Sequence, residues 1–171
     1  MPLDATETEI IIVNDGSTDE TKNVIMDLAA DPRIKAYNMP INKGPGSARN
    51  IALDLAAGEY VLILDADDYI YKEEYVKALE FLNGIDLIYY NLKINNGNIW
   101  RLNEQTKKIF CGATKFIRRD FIGTIRYPEN IKIAEDYYFY MNLLKNNPSE
   151  LFTDLAVVHY NHPRKGSLTA G

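Results

Sequence analysis

The stretch Val61-Leu62-Ile63-Leu64-Asp65-Ala66-Asp67-Asp68 joins four consecutive apolar residues to three carboxylates. Because the apolar residues do not alternate with polar ones, they predict a strand covered on both faces, as in a parallel sheet flanked by helices. Ligands of such sheets collect at the carboxyl ends of the strands. Asp65, Asp67 and Asp68 are therefore expected at the edge of the sheet where ligands bind.

These three carboxylates predict a metal site. Close carboxylates repel one another unless cations, hydrogen bonds or water offset their charge. Oxygen ligands without a nearby Cys or His favour Mg²⁺ or Mn²⁺ over zinc, and Mg²⁺ commonly bridges one or two carboxylates to substrate phosphates. Asp65, Asp67 and Asp68 are thus candidate ligands of Mg²⁺ or Mn²⁺. The alternative is a solvated Asp-rich turn before a helix that starts near Lys72.

Strand and helix patterns alternate through the first half of the chain. Strands are predicted at residues 10–13, 34–37, 61–64 and 87–92, and helical apolar spacing lies between them. This alternation predicts an α/β fold with a mostly parallel sheet. The second half is less regular: Asn95–Asn98 predicts a hairpin turn, and helices are expected at 114–119 and 135–145.

Composition limits the classes of function. The 171 residues, 46% of them hydrophobic, are enough for one core and predict a single domain. The net charge of -5 argues against nucleic acid as a partner. No apolar run approaches the roughly 20 residues that span a bilayer, and no secretory signal pattern is present. We therefore expect a cytoplasmic protein, with peripheral contact at the inner face of the membrane left open. The one cysteine, Cys111, excludes an internal disulfide.

The segment Asn14–Glu20 follows the first predicted strand. Gly16 permits a tight turn, and Ser17 with Glu20 fits a capping box that would open a helix. Asp15 differs from these residues because it stands at the carboxyl end of the strand. A carboxylate there can accept hydrogen bonds from a nucleobase ring or a ribose hydroxyl.

A second loop, Asn42-Lys43-Gly44-Pro45-Gly46-Ser47-Ala48-Arg49-Asn50, leads into a predicted helix. Lys43 precedes the helix and Arg49 lies one turn inside it. With the backbone amides around Gly44, the two cations could bind a diphosphate. The alternative is that both cations are solvated surface side chains.

Together, the strings at residues 10–19, 42–50 and 62–68 resemble the family-two glycosyltransferases of GT-A fold. Glu135-Asp136 with the aromatic run after it is similar to that family's acidic motif near the acceptor site. The resemblance covers most of residues 9–169. It implies a three-layer α/β/α sandwich in one domain, 1–171, with a nucleotide-sugar-binding half, 9–92, and an acceptor-side half, 93–171.

The resemblance implies inverting transfer of a sugar from a nucleotide-diphosphate donor, usually UDP-linked, with Mn²⁺ or Mg²⁺. It implies that Asp15 contacts the base and that Arg49 lies near the donor nucleotide. Asp65 and Asp67 match the family's Asp-x-Asp pair. Either Asp67 or Asp68 would bind the metal directly, with its neighbour on the ribose.

Asp136 matches the family's general base, and Glu135 is the second candidate. A sugar hydroxyl is a poor nucleophile, so a carboxylate must accept its proton as it attacks. The alternative is that both are acidic residues favoured by the dipole in the first turn of a helix. Tyr138 is the candidate for contact with the acceptor. Arg164, in a basic Gly-bearing loop near the C-terminus, could close over the diphosphate, or the segment could be a solvated tail.

The resemblance starts at what would be the family's second strand, and the first strand with its helix has no counterpart before Glu9. We therefore keep as an alternative a catalytically silent domain that binds nucleotide or serves as an interaction module. Edge pairing with a second copy would give a homodimer. A nucleotidyltransferase would carry an early Gly-rich, Lys-bearing loop, and none precedes Asp15. A saccharide, a lipid-linked or a protein acceptor are all compatible with the sequence.

Overall fold

The computed structural model describes residues 8–107, 112–131 and 133–161. The chain divides into two compact units that are discontinuous in sequence. The first unit takes the chain up to Glu59 together with Arg126–Phe139, and the second takes Tyr60–Ile125 together with the chain from Tyr140 onward. The division into a nucleotide-sugar-binding half, 9–92, and an acceptor-side half, 93–171, stays a prediction.

The first unit begins with two parallel strands, each followed by a helix. Strand β1 pairs with β2 in register from Ile10 opposite Ile34 to Asn14 opposite Asn38. At their shared carboxyl end, the Asn14 side-chain amide donates to Asn38 Oδ1 at 3.0 Å. The four elements are β1 (Ile10–Asn14), α1 (Thr21–Leu28), β2 (Ile34–Asn38) and α2 (Pro45–Leu55).

Helix α2 starts as its sequence requires. Gly44 precedes it with a φ of 93°, a conformation that suits glycine, and Pro45 occupies the first helical position. The buried residues of this helix are Gly46, Ser47, Asn50 and Leu53. Three of them are not large apolar residues, and Asn50 makes polar contacts with a distant part of the chain.

The second unit contains two four-stranded sheets. One has the order β3-β8-β5-β9, and the other has the order β4-β10-β6-β7. The strands are β3 (Tyr60–Leu62), β4 (Tyr69–Ile70), β5 (Leu87–Tyr89), β6 (Leu92–Ile94), β7 (Ile99–Trp100), β8 (Lys115–Arg118), β9 (Glu150–Phe152) and β10 (Val158–Tyr160). The helices are α3 (Lys72–Leu79), α4 (Arg119–Ile122) and α5 (Glu135–Leu144), which begins in the first unit and continues in the second.

The expected α/β fold is present, and its described strand pairs are mixed. β1–β2, β5–β9 and β6–β10 are parallel, whereas β3–β8, β5–β8, β4–β10 and β6–β7 are antiparallel. The predicted hairpin at Asn95–Asn98 is confirmed between β6 and β7. The strand predicted at 87–92 is two strands, β5 and β6, which belong to different sheets.

The helix predicted at residues 114–119 is wrong. Lys115–Arg118 forms β8, which lies between β3 and β5 and pairs antiparallel with both. A short segment of mixed composition carries little local preference, so pairing with two neighbouring strands decides its conformation.

The core of the second unit lies around β5. Leu87, Ile88 and Tyr89 are almost fully buried, as are Leu143 and Val158. Burial, followed by hydrogen bonds with Glu150 and Tyr140, raises the pKa of the Tyr89 hydroxyl.

Among the described residues, no helix is both long and apolar enough to cross a membrane.

Candidate functional site

Asp15 joins the end of β1 to the loop that leads into α2. Its two carboxylate oxygens accept the backbone N–H groups of Lys43, at 2.7 Å, and Gly44, at 2.8 Å. Gly16, with a φ of 69°, adjoins the same loop, and a Cβ there would lie 2.5 Å from the backbone nitrogen of Asn42. The amides that the sequence offered to a diphosphate are therefore bonded to Asp15, while the Lys43 side chain is exposed.

Arg49 forms an ion pair with Glu135, which belongs to the second sequence segment of the first unit. Its Nη1 lies 2.5 Å from Glu135 Oε1, and the two side chains are 16% and 9% exposed. The guanidinium also lies over the Tyr127 ring, 5.5 Å from its centroid. Tyr127 in turn stacks on Phe139 at 4.0 Å. Arg49 thus holds the start of α5 against α2.

The first turn of α2 lies between two carboxylates. Asp15 bonds to the amide of Gly44, and a Cβ on Gly46 would lie 3.6 Å from Cγ of Glu135 and 3.1 Å from the carbonyl oxygen of Pro128. A Cβ at Gly46 would require the Pro128 carbonyl to shift by a few tenths of an ångström, so glycine suits this close approach. The three motifs that contain Asp15, Gly44 and Glu135 therefore meet at the first turn of α2.

Asp136, the predicted general base, lies in the first turn of α5 and is half-buried. Its Oδ1 accepts the backbone N–H of Tyr137 at 2.8 Å, which leaves Oδ2 outside that hydrogen bond. Ala134, two residues earlier, has a φ of 66°. An L-residue in this left-handed region costs roughly 1–2 kcal/mol, so strained backbone leads directly into Glu135 and Asp136.

The acidic loop, residues 65–68, belongs to the second unit. Strand β3 ends at Leu62, two residues before the predicted end, and Leu64 is 38% exposed. Asp65 is half-buried and Asp67 is exposed. Asp68 is half-buried, and its Oδ1 accepts the backbone N–H of Asn161 at 2.9 Å. Burial, and then the negative charge of Asp68, raise the pKa of the Tyr90 hydroxyl well above its usual value.

The donor set of this loop fits a metal that is shared with a substrate. Among the residues the structure describes, no group of three or more His, Cys, Asp or Glu side chains is arranged to hold a metal ion. Mg²⁺ is usually bound through one or two carboxylates and completes its shell with water and substrate phosphates. Asp65 and Asp67 are compatible with that mode, and Asp68 accepts a hydrogen bond from the backbone of Asn161.

Sequence reasoning missed two residues that build the first unit. The Asn50 side chain donates to the carbonyl oxygen of Tyr127 at 2.9 Å and accepts the Tyr127 N–H at 2.7 Å. The only available signal was a polar residue within a helix whose other face is apolar.

Arg164, the predicted residue of the closing loop, lies outside the described residues.

The parallel β1–β2 pair and the motifs at its carboxyl end are those expected of a GT-A domain. The model of glycosyl transferase family 2 matches residues 3–143. This chain belongs to that family.

Individual relatives agree. The chain is 36% identical over 152 residues to an uncharacterized glycosyltransferase of Haemophilus influenzae, a match that covers 80% of this chain and 60% of that protein. It is 32% identical over 180 residues to the poly(ribitol-phosphate) beta-N-acetylglucosaminyltransferase TarS of Staphylococcus aureus, covering 94% of this chain and 31% of TarS. The chain therefore spans between about a third and three fifths of these relatives.

Solved structures give the same result. The structure of TarS residues 1–349 with UDP-GlcNAc matches with a TM-score of 0.82 and 30% identity, over 97% of this chain and 52% of that one. The structure of the same TarS segment with UDP matches with a TM-score of 0.80, over 94% of this chain and 53% of that one. The expected fold is thereby confirmed.

Proposed function

We propose that this chain is the donor-binding and catalytic part of an inverting glycosyltransferase that uses a UDP-linked sugar. The observation that carries the proposal is the meeting of three separate motifs at the first turn of α2, between Asp15 and Glu135. Family membership and the TarS complexes with UDP and UDP-GlcNAc support the class of donor.

In this proposal Asp136 is the general base. A carboxylate that accepts one N–H bond at Oδ1 keeps Oδ2 for the proton of the acceptor hydroxyl as that oxygen attacks the anomeric carbon. The anomeric configuration inverts because the attack occurs in one displacement, opposite the leaving diphosphate. The N–H bond also limits rotation of the carboxylate, which favours productive geometry.

Asp65 and Asp67 would hold Mn²⁺ or Mg²⁺ together with the donor diphosphate. The bound cation would stabilise the negative charge that develops on the leaving diphosphate. Asp68 would contribute differently, by fixing the acidic loop to the backbone at Asn161. Asp15 would keep the loop at Lys43 and Gly44 in place beside the donor base.

The acceptor is proposed to be a hydroxyl of a polymer or of a lipid-linked saccharide. TarS is named for poly(ribitol-phosphate), and WfgD of Escherichia coli, 31% identical to this chain over 152 residues, is named for a diphosphoundecaprenol-linked sugar. Tyr137 and Tyr138, next to Asp136, are 41% and 50% exposed. Their rings offer apolar faces on which an acceptor sugar could stack.

The test is Asp136→Asn, assayed as release of UDP from UDP-GlcNAc in the presence of Mn²⁺. Loss of the proton acceptor should lower the rate at least about 1,000-fold, within the range that general base catalysis contributes. The affinity for UDP, measured by calorimetry, should stay within about twofold, because the base does not contact the diphosphate. Wild-type protein that neither binds UDP nor releases it would support the alternative of an interaction module. A variant as active as the wild type would remove Asp136 from its role.

A further inference from the structure

The Arg49–Glu135 pair is a buried contact between α2 and the first turn of α5. The two charged atoms are 2.5 Å apart, and both side chains are largely shielded from water. The Tyr127 ring, under the Arg49 guanidinium, covers the pair further. A carboxylate oxygen that accepts a guanidinium N–H in a shielded contact is occupied by the protein and is less accessible to a substrate hydroxyl.

The backbone immediately before this pair is strained. Ala134 has a φ of 66°, in the left-handed region that residues with a Cβ avoid. Its carbonyl oxygen accepts the N–H of Tyr138 at 3.2 Å and so closes the first turn of α5. Such a conformation persists only where the surrounding structure determines it. Glu135 is the next residue along the chain, so its contact with Arg49 is well placed to hold Ala134 in that conformation.

We propose that the Arg49–Glu135 pair holds Ala134 in its left-handed conformation and thereby aims Asp136 at the acceptor hydroxyl. Glu135 is then a positioning residue and not a second base. The inference rests on the proposed function, because it concerns the orientation of the proposed base. It goes further by assigning a separate task to each acid of the Glu135-Asp136 motif.

The first variant is Glu135→Gln, which keeps the shape of the side chain and removes its charge. We expect kcat for UDP release from UDP-GlcNAc to fall about 30-fold, since small errors in placing a reacting group cost up to about 100-fold. KM should stay within about twofold. Arg49→Lys keeps the charge but removes the planar contact with Tyr127, and provides a second variant if the first does not fold. Thermal unfolding is measured for each variant.

The decisive variant adds Ala134→Gly to Glu135→Gln. Glycine adopts the left-handed conformation without the penalty of a Cβ, so the turn no longer needs the pair to hold it. We expect the double variant to be at least about fivefold faster than Glu135→Gln alone. Asn147→Gly is the matched control, because Asn147 also has a positive φ, 49°, but lies beyond the end of α5. Added to Glu135→Gln, it should restore nothing.

The results separate the two proposals. If Glu135→Gln is as inactive as Asp136→Asn and Ala134→Gly restores no rate, Glu135 takes part in proton transfer and the positioning role is overturned. A folded Glu135→Gln protein with wild-type kcat overturns it as well. Failure of the proposed function would appear instead as full activity in Asp136→Asn, whatever the Glu135 variants do.

Discussion

Two acidic residues of the first unit and one of the second lie in different surroundings. In the first unit, Asp15 and Glu135 are occupied by the protein itself, one by two backbone amides and the other by a buried guanidinium. In the acidic loop of the second unit, Asp67 is exposed at the surface. Asp15 and Glu135 thus fix the shape of a loop and a helix, whereas Asp67 lies at the surface, where a ligand can reach it.

The largest expected effect tests whether polar contacts really set the shape of the first unit. Asn50→Ala removes two buried hydrogen bonds to the backbone of Tyr127. We expect the free energy of unfolding to fall by about 3 kcal/mol, because two buried backbone groups lose these partners. Chemical denaturation measures the change. Asn23→Ala, at an exposed amide on α1, is the control and should change stability by less than about 0.5 kcal/mol. Equal losses in both variants would contradict the comparison.

The next effect tests the acidic loop. Asp67→Asn should weaken UDP binding in Mn²⁺ about 30-fold, or about 2 kcal/mol, with little change in stability, since the side chain is exposed. Titration calorimetry with and without Mn²⁺ measures it, and the difference between the two conditions should shrink. Asp27→Asn removes an equally exposed charge from α1 and should leave binding unchanged. Wild-type affinity in Asp67→Asn would mean that this carboxylate holds no metal.

The smallest effect is expected at Asp15, which both shapes a loop and stands in the proposed donor site. Asp15→Asn leaves one oxygen that can accept a backbone N–H. Its NH₂ group then faces the second backbone N–H, and two donors cannot form a hydrogen bond. We expect stability to fall by about 1 kcal/mol and UDP affinity about tenfold, or about 1.4 kcal/mol. Calorimetry and denaturation are run on the same preparation. A loss of affinity that depends on Mn²⁺, as for Asp67→Asn, would place Asp15 with the metal.

The sequence predicted correctly the elements whose conformation depends on neighbouring residues. The apolar run before Asp15 formed β1 because β-branched residues favour a strand. The Gly44-Pro45 pair started α2 because glycine accepts a positive φ and the fixed φ of proline suits the first helical position. Family resemblance then supplied the fold and the candidate acids.

What sequence could not show depends on contacts between distant residues. Arg49 and Glu135 are 86 positions apart, so nothing near either residue indicates that they form a pair. β8 was predicted as a helix because its conformation is decided by pairing with β3 and β5. The metal, the homodimer and contact with a membrane surface stay predictions.

The close approach of Gly16 to Asn42 has a consequence for the kinetics of the proposed donor binding. The turn after β1 and the loop before α2 touch backbone to backbone, and neither can shift far while Asp15 bonds to the amides of Lys43 and Gly44. The two loops that an incoming nucleotide would contact are already ordered, so little conformational entropy would be lost on association. Capture should then proceed at a rate set mainly by encounter, and selectivity among donors should appear in how slowly each one leaves.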